Sequence, residues 1–299
     1  MRDNQRLRIA VQKSGRLSEK SLALFSKCGL DFDLRKDRLL HECKDFPIDL
    51  MLVRDDDIPA YVADGVCDLG VVGENAVHEH LWAAPQRKSG GSVRTVLPLG
   101  FGACHLALAV PEDSTIRELA DFAGQRVATS YPNCLTRYMK DQGLEVEIVE
   151  LAGSVEIAPN LGIADAICDL VSTGGTLRSN GLEEFLTILE SQAILIRSDR
   201  ALTAAMEHDL QRLLQRIQGV LKAARAKYVM MNAPRSALEE IRRVIPGMED
   251  PSVMPLGTDG QKIAIHAVAY EEIFWETIET LQRLGATSIL VLPIEKVIA

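Results

Sequence analysis

Asp169-Leu-Val-Ser-Thr-Gly-Gly-Thr-Leu177 is the stretch on which the reading of this chain turns. Just upstream, Ala166, Ile167 and Cys168 join Leu170 and Val171 in a short apolar run broken by one carboxylate, Asp169, which reads as a buried strand. The run stops at Ser172, Thr173, Gly174, Gly175 and Thr176. Two residues without side chains let the backbone approach a ligand and turn its N–H groups inward as an anion-binding nest. The hydroxyls of Ser172, Thr173 and Thr176 add donors suited to a phosphate, and a helix starting near Thr176 would aim its N-terminal dipole at the same charge. A plain strand-to-helix turn with a Ser/Thr cap is the competing account, and Gly-Gly alone does not exclude it. Asp169, ahead of the turn, favours a ligand. A carboxylate accepts sugar hydroxyls while the loop holds phosphate, a combination suited to a ribose 5-phosphate.

The same pattern occurs earlier in the chain. Ala63-Asp-Gly-Val-Cys-Asp-Leu69 lines up with Ala164-Asp-Ala-Ile-Cys-Asp-Leu170, and Gly73 with Gly174. Asp57-Ile58 lies over Glu156-Ile157 after a small insertion. So short a match also arises by chance, but each copy runs acidic helix start, short helix, Asp-Leu strand, Gly turn. The shared order points to two related α/β lobes across a cleft, where ligands commonly bind. Strands are expected over 6–11, 48–53, 68–73, 105–110, 126–129 and 146–151, with helices between them. Ser18 is the expected N-cap of the first helix and Gly29 its stop, while 116–122 and 135–141 read as helices. The alternation suggests mostly parallel sheets. Ile188 to Ile196 is a long apolar segment that returns to the first lobe.

From about 201 to 226 runs a helical pattern carrying Leu210, Leu213, Leu214, Ile217, Val220 and Leu221. Behind it, 227–299 reads as βαββαβ, a ferredoxin-like order, with no residue that looks catalytic. The domains expected are lobe I over 1–102 plus about 190–226, lobe II with the phosphoribosyl loop over 103–189, and a ferredoxin-like domain over 227–299.

With 299 residues, 47% hydrophobic and 25% charged, the composition is that of an ordinary globular protein. A net charge of −9 leaves no basic excess for a nucleic acid. Cys28, Cys43, Cys67, Cys104, Cys134 and Cys168 contain no Cys-x-x-Cys pair and read as reduced core residues of a cytoplasmic protein. The start, Met1 to Arg8, has no signal-peptide core, and no apolar run reaches the ~18 residues of a membrane span.

Lys13 and Arg16 sit in the loop after the first strand, Arg54 ends the second, and Glu74 follows the third. Loops after strand ends are where open α/β sheets bind ligands, though a surface ion pair is the alternative for each residue. His78-Glu-His80 lacks the helical four-residue spacing of a zinc pair and reads as a solvated face. No Ser-His-Asp or Cys-His constellation is apparent. The residues by themselves reach phosphoribosyl transfer or sugar-phosphate binding, and no further.

Glu156, Gly162, Ala164, Ile167, Asp169, Leu170, Thr173, Gly174, Thr176 and Leu177 stand in a spacing that resembles the ATP phosphoribosyltransferase signature. Gln12 to Arg16, Arg54 to Asp57 and Pro234 to Leu238 also resemble family segments, so the resemblance spans essentially the whole chain. It implies a bilobal, periplasmic-binding-protein-like catalytic part with a C-terminal ferredoxin-like regulatory domain. The implied reaction joins ring nitrogen 1 of ATP to the ribose of phosphoribosyl diphosphate with release of pyrophosphate, the first step of histidine biosynthesis. On this resemblance Asp169 and Glu156 are the catalytic carboxylates. Asp169, Ser172, Thr173, Gly174, Gly175 and Thr176 bind the phosphoribosyl group, and Lys13, Arg16, Arg54 and Glu74 bind ATP or pyrophosphate. The cofactor is Mg²⁺, held mainly by substrate oxygens, and no protein ligand is identified. Members of the long form assemble from dimers to homohexamers without a separate regulatory partner. They are inhibited by histidine, whose site is implied near Asn232, Ser252 and Ser288. Two rival readings are a solute-binding protein, which normally carries an export signal, and an amino-acid-sensing regulator, which needs a contact surface for nucleic acid or protein.

Overall fold

The computed structural model describes residues 6–35, 38–83, 91–247, 250–258, 260–270 and 275–298. The chain divides into two compact units, Met1–Ala23 with Leu30–Asp209 and Leu24–Gly29 with Leu210–Ala299.

The first unit holds two sheets. In chain order its elements begin β1 (Leu7–Gln12), α1 (Arg16–Lys27), β2 (Leu40–Glu42), β3 (Ile48–Val53), α2 (Ile58–Ala63), β4 (Leu69–Gly73), α3 (Glu74–Trp82) and β5 (Val93–Pro98). They continue β6 (Cys104–Pro111), β7 (Arg126–Thr129), α4 (Pro132–Asp141), β8 (Glu147–Glu150), β9 (Ala166–Val171), α5 (Gly175–Ser179), β10 (Leu182–Ser191) and β11 (Ala193–Ser198). The first sheet has the order β2-β3-β1-β4-β11-β5 and the second β10-β6-β9-β7-β8. Each has its own core: Ile58, Val62, Cys67, Val72 and Ile196 in the first, Leu106, Phe122, Val127 and Leu135 in the second. Burying side chains of this size contributes ~1.5–3 kcal/mol each, so each sheet is stabilised by its own packing.

The sheets are mixed rather than mostly parallel. The trios β3-β1-β4 and β9-β7-β8 are parallel, but β2, β5, β6, β10 and β11 run antiparallel to their neighbours. The reason lies in a local hairpin that sets β2 against β3, and in two crossings between the sheets that insert β6 and β11. The apolar segment 188–196 is two strands: β10 ends at Ser191 in the second sheet, and β11 starts at Ala193 in the first. The other crossing joins β5 to β6, and the two run side by side, with Leu99 donating to the Ala193 carbonyl and Ala193 to that of Phe101, both at 2.9 Å. A strand that returns from the other sheet enters antiparallel because no helix reverses it.

Several local expectations shift. Helix α1 starts at Arg16, so Ser18 lies buried within its first turn instead of capping it. Only a 3-10 turn, Leu119–Phe122, forms in 116–122, closed by a reciprocal Glu118–Asp121 capping box. Helix α4 starts at Pro132, earlier than Leu135, because proline fits a helix's first turn. Helix α3 follows directly on Gly73, where the sequence suggested only the end of a strand.

The second unit carries most of α6 (Ala204–Ala224), then β12 (Ala226–Pro234), α7 (Leu238–Val244), β13 (Ser252–Leu256), β14 (Lys262–Tyr270), α8 (Trp275–Arg283) and β15 (Thr287–Pro293). Residues 271–274, where the sequence starts the last helix, lie outside the described residues. The sheet order β13-β14-β12-β15, antiparallel throughout, is the ferredoxin-like arrangement of split βαβ units. Val229, Met231, Ile263, Ile265, Ile241 and Leu281 form the core between its helices and sheet. Among the described residues no helix is long and apolar enough to cross a membrane.

Candidate active site

Strand β9 lies inside the second sheet between β6 and β7. Ile167 and Val171 are buried on the same side of it as Asp169, which is only half-buried. The Asp169 carboxylate accepts a hydrogen bond from the Leu170 amide at 2.8 Å. Burial pushes its carboxyl above the ordinary range, the nearby charge of Glu156 adds to this, and the Leu170 amide opposes it. Glu156 reaches Asp169 from the 3-10 turn Val155–Ile157, so the two carboxylates are electrostatic neighbours.

Past Val171 the chain turns sharply. Gly174 holds φ +70°, the left-handed region, and caps the five-residue helix α5. A Cβ at Gly174 would also stand 2.8 Å from Arg178 Nη1. Gly175 is different: its φ is ordinary, and an added Cβ would make only a normal 3.8 Å contact with Thr173 Oγ1. The two glycines are therefore not equivalent, and only the first is demanded by the backbone. Ser172, Thr173, Gly175 and Thr176 are solvent-exposed.

Strands β1, β3 and β4 are parallel, so their exits share one edge of the first sheet. Gln12, Lys13 and Arg16 follow β1, Arg54 and Asp55 follow β3, and Glu74 and Asn75 follow β4. A cavity of about 620 Å³ opens there, walled by Gln12, Arg16, Lys20, Asp55 and Asn75 from the first sheet's loops. Gly100 to Cys104 and Leu170 to Ser172 complete it from the crossing and the second sheet. Of the residues singled out from sequence, Arg16 and Ser172 wall this cavity together. Lys13, Arg54 and Glu74 adjoin wall residues in the chain, with Lys13 and Arg54 exposed and Glu74 half-buried. Asp169 precedes Leu170 on the wall, and Thr173 to Thr176 follow Ser172.

Sequence reasoning missed Lys20, Asn75 and Cys104. Lys20 had a readable signal, standing one helical turn after Arg16 on α1 and so sharing its face. Asn75 had none, because its role depends on contacts far away in the chain. Its backbone amide donates to Ser191 Oγ at 3.1 Å, while that hydroxyl donates to Asn75 Oδ1 at 2.8 Å. This fixes the amide's orientation, and Asn75 Nδ2 donates to the Tyr131 hydroxyl oxygen at 3.2 Å. Gly73 leaves room for the arrangement, since a Cβ there would collide with Asn75 Oδ1. His78-Glu-His80 is not simply a solvated face. His78 packs on Trp82, with ring centroids 4.8 Å apart, and half-buried Glu79 reaches across to α4.

The acidic triplet forms a 3-10 turn, Asp55–Asp57, ahead of α2. Burial, then Asp55 and Asp57, hold the Asp56 carboxyl above its ordinary value despite its exposed surface, with Arg54 partly offsetting them. Among the described residues no three His, Cys, Asp or Glu side chains gather to hold a metal ion. Asp55 walls the cavity and Asp169 adjoins its wall residue Leu170, and carboxylate oxygens are hard donors. That suits a divalent ion carried mostly by phosphate oxygens and water.

In the second unit Asn232 pairs with Thr287, next to Ser288, whose φ of +53° is left-handed. Ser252 pairs with His266 on the edge strand β13, two strands from β12. Asn232 and Ser288 are neighbours, whereas Ser252 lies two strands from Asn232 and level with Met230, roughly 12 Å from Asn232 at the ~4.8 Å strand spacing and ~3.4 Å rise per residue.

Residues 54–219 match the family model described as ATP phosphoribosyltransferase, and residues 223–296 match that of the HisG C-terminal domain. A chain of the ATP phosphoribosyl transferase (HisG:HisZ) complex from Thermotoga maritima is 31% identical, with a TM-score of 0.59 over 71% of this chain and 96% of that one. The alkanesulfonate-binding protein SsuA from Xanthomonas axonopodis pv. citri is 18% identical, with a TM-score of 0.46 over 73% of each chain. The periplasmic aliphatic sulphonate binding protein SsuA from Escherichia coli is 17% identical, with a TM-score of 0.45 over 71% of this chain and 67% of that one. At those scores the two SsuA likenesses carry no argument about function.

Proposed function

Because the chain belongs to the ATP phosphoribosyltransferase family, in its long form with the C-terminal domain, we propose that the cavity between the two sheets is where its substrates meet. The family's reaction transfers the phosphoribosyl group of phosphoribosyl diphosphate to ring nitrogen 1 of ATP, releases pyrophosphate and begins histidine biosynthesis. The observation that carries the site assignment is that Arg16 and Ser172, from loops of different sheets, wall one cavity.

In this reading the Ser172–Thr176 loop holds the 5-phosphate through its amides and hydroxyls. Asp169 and Glu156 accept the ribose hydroxyls and favour the positive charge that develops at the anomeric carbon. Their mutual repulsion and burial are relieved when that cationic centre arrives. Arg16, Lys13 and Arg54 draw the nucleotide and pyrophosphate charge, with Glu74 at the adjoining edge. The bond from the anomeric carbon to pyrophosphate breaks as the bond to the adenine nitrogen forms, so the protein's part is to align the two and exclude water. Each charge-assisted hydrogen bond contributes about 1.5–3 kcal/mol, so several together order the sugar.

The family uses a divalent metal, and we assign Mg²⁺, which Asp55 on the cavity wall and Asp169 beside Leu170 would help to hold. When bound it neutralises the departing pyrophosphate. The functional division is lobe I (1–102 with about 190–226), lobe II (103–189) and a regulatory domain (227–299). Histidine binds the last of these beside Asn232 and Ser288, and the chain works in the cytoplasm as a homo-oligomer up to a hexamer. The test incubates the protein with ATP, phosphoribosyl diphosphate, Mg²⁺ and a pyrophosphatase. N1-ribosylated adenine nucleotide is the expected product, and its absence returns a binding protein as the better reading. Histidine added to the same reaction is expected to slow it, and unchanged turnover removes the regulatory assignment.

A further inference from the structure

Helix α4 has no cap of its own. Tyr131 occupies its N-cap position without a side-chain hydrogen bond, and Pro132 follows at the first helical position. The amides of the next two residues have no partner within the helix. They are satisfied from the other sheet's layer: Glu79 on α3 accepts from the Asn133 amide through Oε1 and from the Cys134 amide through Oε2, both at 2.9 Å, and from the Asn133 side chain. A carboxylate at this end also meets the favourable end of the helix dipole. One turn earlier on α3, Asn75 holds Tyr131 and the crossing residue Ser191. Residues four apart on one helix thus fasten the entry of α4 at two points.

That entry continues β7, which lies parallel to β9, so the α4 turn and the Ser172–Thr176 loop leave the same edge of the second sheet. Asn75 walls the cavity. We infer that Glu79 is a positioning residue of the transfer reaction: it completes α4 only when the two lobes stand in one arrangement, and so sets the spacing between the Arg16 loop and the phosphoribosyl loop. It touches no substrate in this account, which rests on the cavity assignment above.

Lobes that spend less time in the competent arrangement bind each substrate with affinity reduced by the competent fraction. Glu79→Ala is therefore expected to raise KM for phosphoribosyl diphosphate and for ATP by a common factor of about five or more, with kcat within about twofold. Glu79→Gln keeps an acceptor oxygen and is expected to recover most of the loss. Without substrate, amide exchange at Asn133 and Cys134 is expected to quicken about tenfold in Glu79→Ala, from loss of the capping partner. A lower kcat at unchanged KM, the mark of lost folded enzyme, overturns the inference, as does unchanged exchange at those amides. If Glu79→Ala fails to fold, Glu79→Gln alone decides by the same two readouts, with a smaller rise in both. The exchange arm involves no turnover, so a wrong cavity assignment, seen as normal rates in Asp169→Asn, is told apart from failure here.

Discussion

Arg178 folds back along helix α5 and donates through Nη2 to the Thr173 carbonyl at 2.9 Å, placing its guanidinium where a side chain on Gly174 would have to go. The loop is thereby closed by a contact between its own two ends. Its shape depends on one glycine rather than on a pair.

Gly174→Ala forces an L residue into a left-handed conformation, at ~1–2 kcal/mol, and displaces Arg178. We expect kcat/KM for phosphoribosyl diphosphate to fall by at least about tenfold. Gly175→Ala keeps the same amide at an ordinary φ, and the expected loss is under about threefold. Equal losses in steady-state assays of the two variants would show that the loop's shape does not depend on Gly174.

Asp169→Asn separates stability from function. The folded-state carboxyl is raised, first by burial, so ionised Asp169 costs stability at neutral pH. Because the folded value exceeds the unfolded one, stability from protonation is complete below the ordinary carboxylate range and disappears as pH rises through the folded value. The variant is expected to melt higher than the parent at pH 7 and to lose that advantage as pH falls below the ordinary range. Turnover is expected to drop about 100-fold or more, as for loss of a group that stabilises developing charge. A lower melting temperature at pH 7 with near-normal turnover contradicts both parts.

Arg16 and Lys20 share one face of α1 and wall the cavity, whereas Lys13, exposed like them, only adjoins the wall residue Gln12. Arg16→Ala is expected to raise KM for a phosphorylated substrate about tenfold or more, Lys20→Ala less, and Lys13→Ala least, with melting temperatures little changed. Initial rates at varied ATP and phosphoribosyl diphosphate give the order, and a larger effect at Lys13 reverses the assignment.

Cys104 is half-buried on the cavity wall, while Cys28, Cys43, Cys67, Cys134 and Cys168 are buried. Burial pushes its thiol above the ordinary value, with Ser191 and Arg16 partly offsetting this. Iodoacetamide is expected to modify Cys104 first, slowly at pH 7 and faster as pH rises through the raised value, because only the thiolate reacts. Saturating substrates are expected to protect it. Mass-spectrometric mapping that finds another cysteine first, or no protection, counts against Cys104 as a wall of the occupied site.

The fold was legible where local chemistry decides it. Ile48 to Val53 and Arg126 to Thr129 form strands at the bounds their apolar patterns suggest, and 227–299 yields the ferredoxin-like order. Two segments depart from what their apolar pattern suggests, one for a local reason and one for a distant one. Residues 116–122 look helical, but the reciprocal hydrogen bonds of Glu118 and Asp121 close them as a short turn. Ile188 to Ile196 reads as one apolar segment, and nothing local marks Gln192 as the point where the chain changes sheets.

The sequence by itself determined the parts that depend on neighbours along the chain: strands, helices, the Asp169 carboxylate and the glycine turn behind it. It also supplied the motif by which the family is identified. Only the tertiary structure decided that Gly174 and Gly175 have different tasks, that Arg16 and Ser172 wall one cavity, and that Glu79 caps a helix packed on the other sheet. Backbone preference and apolar period act over a few residues and leave a local trace. A hydrogen bond between Glu79 and Cys134 leaves none, because it exists only once two separately packed sheets have been brought together.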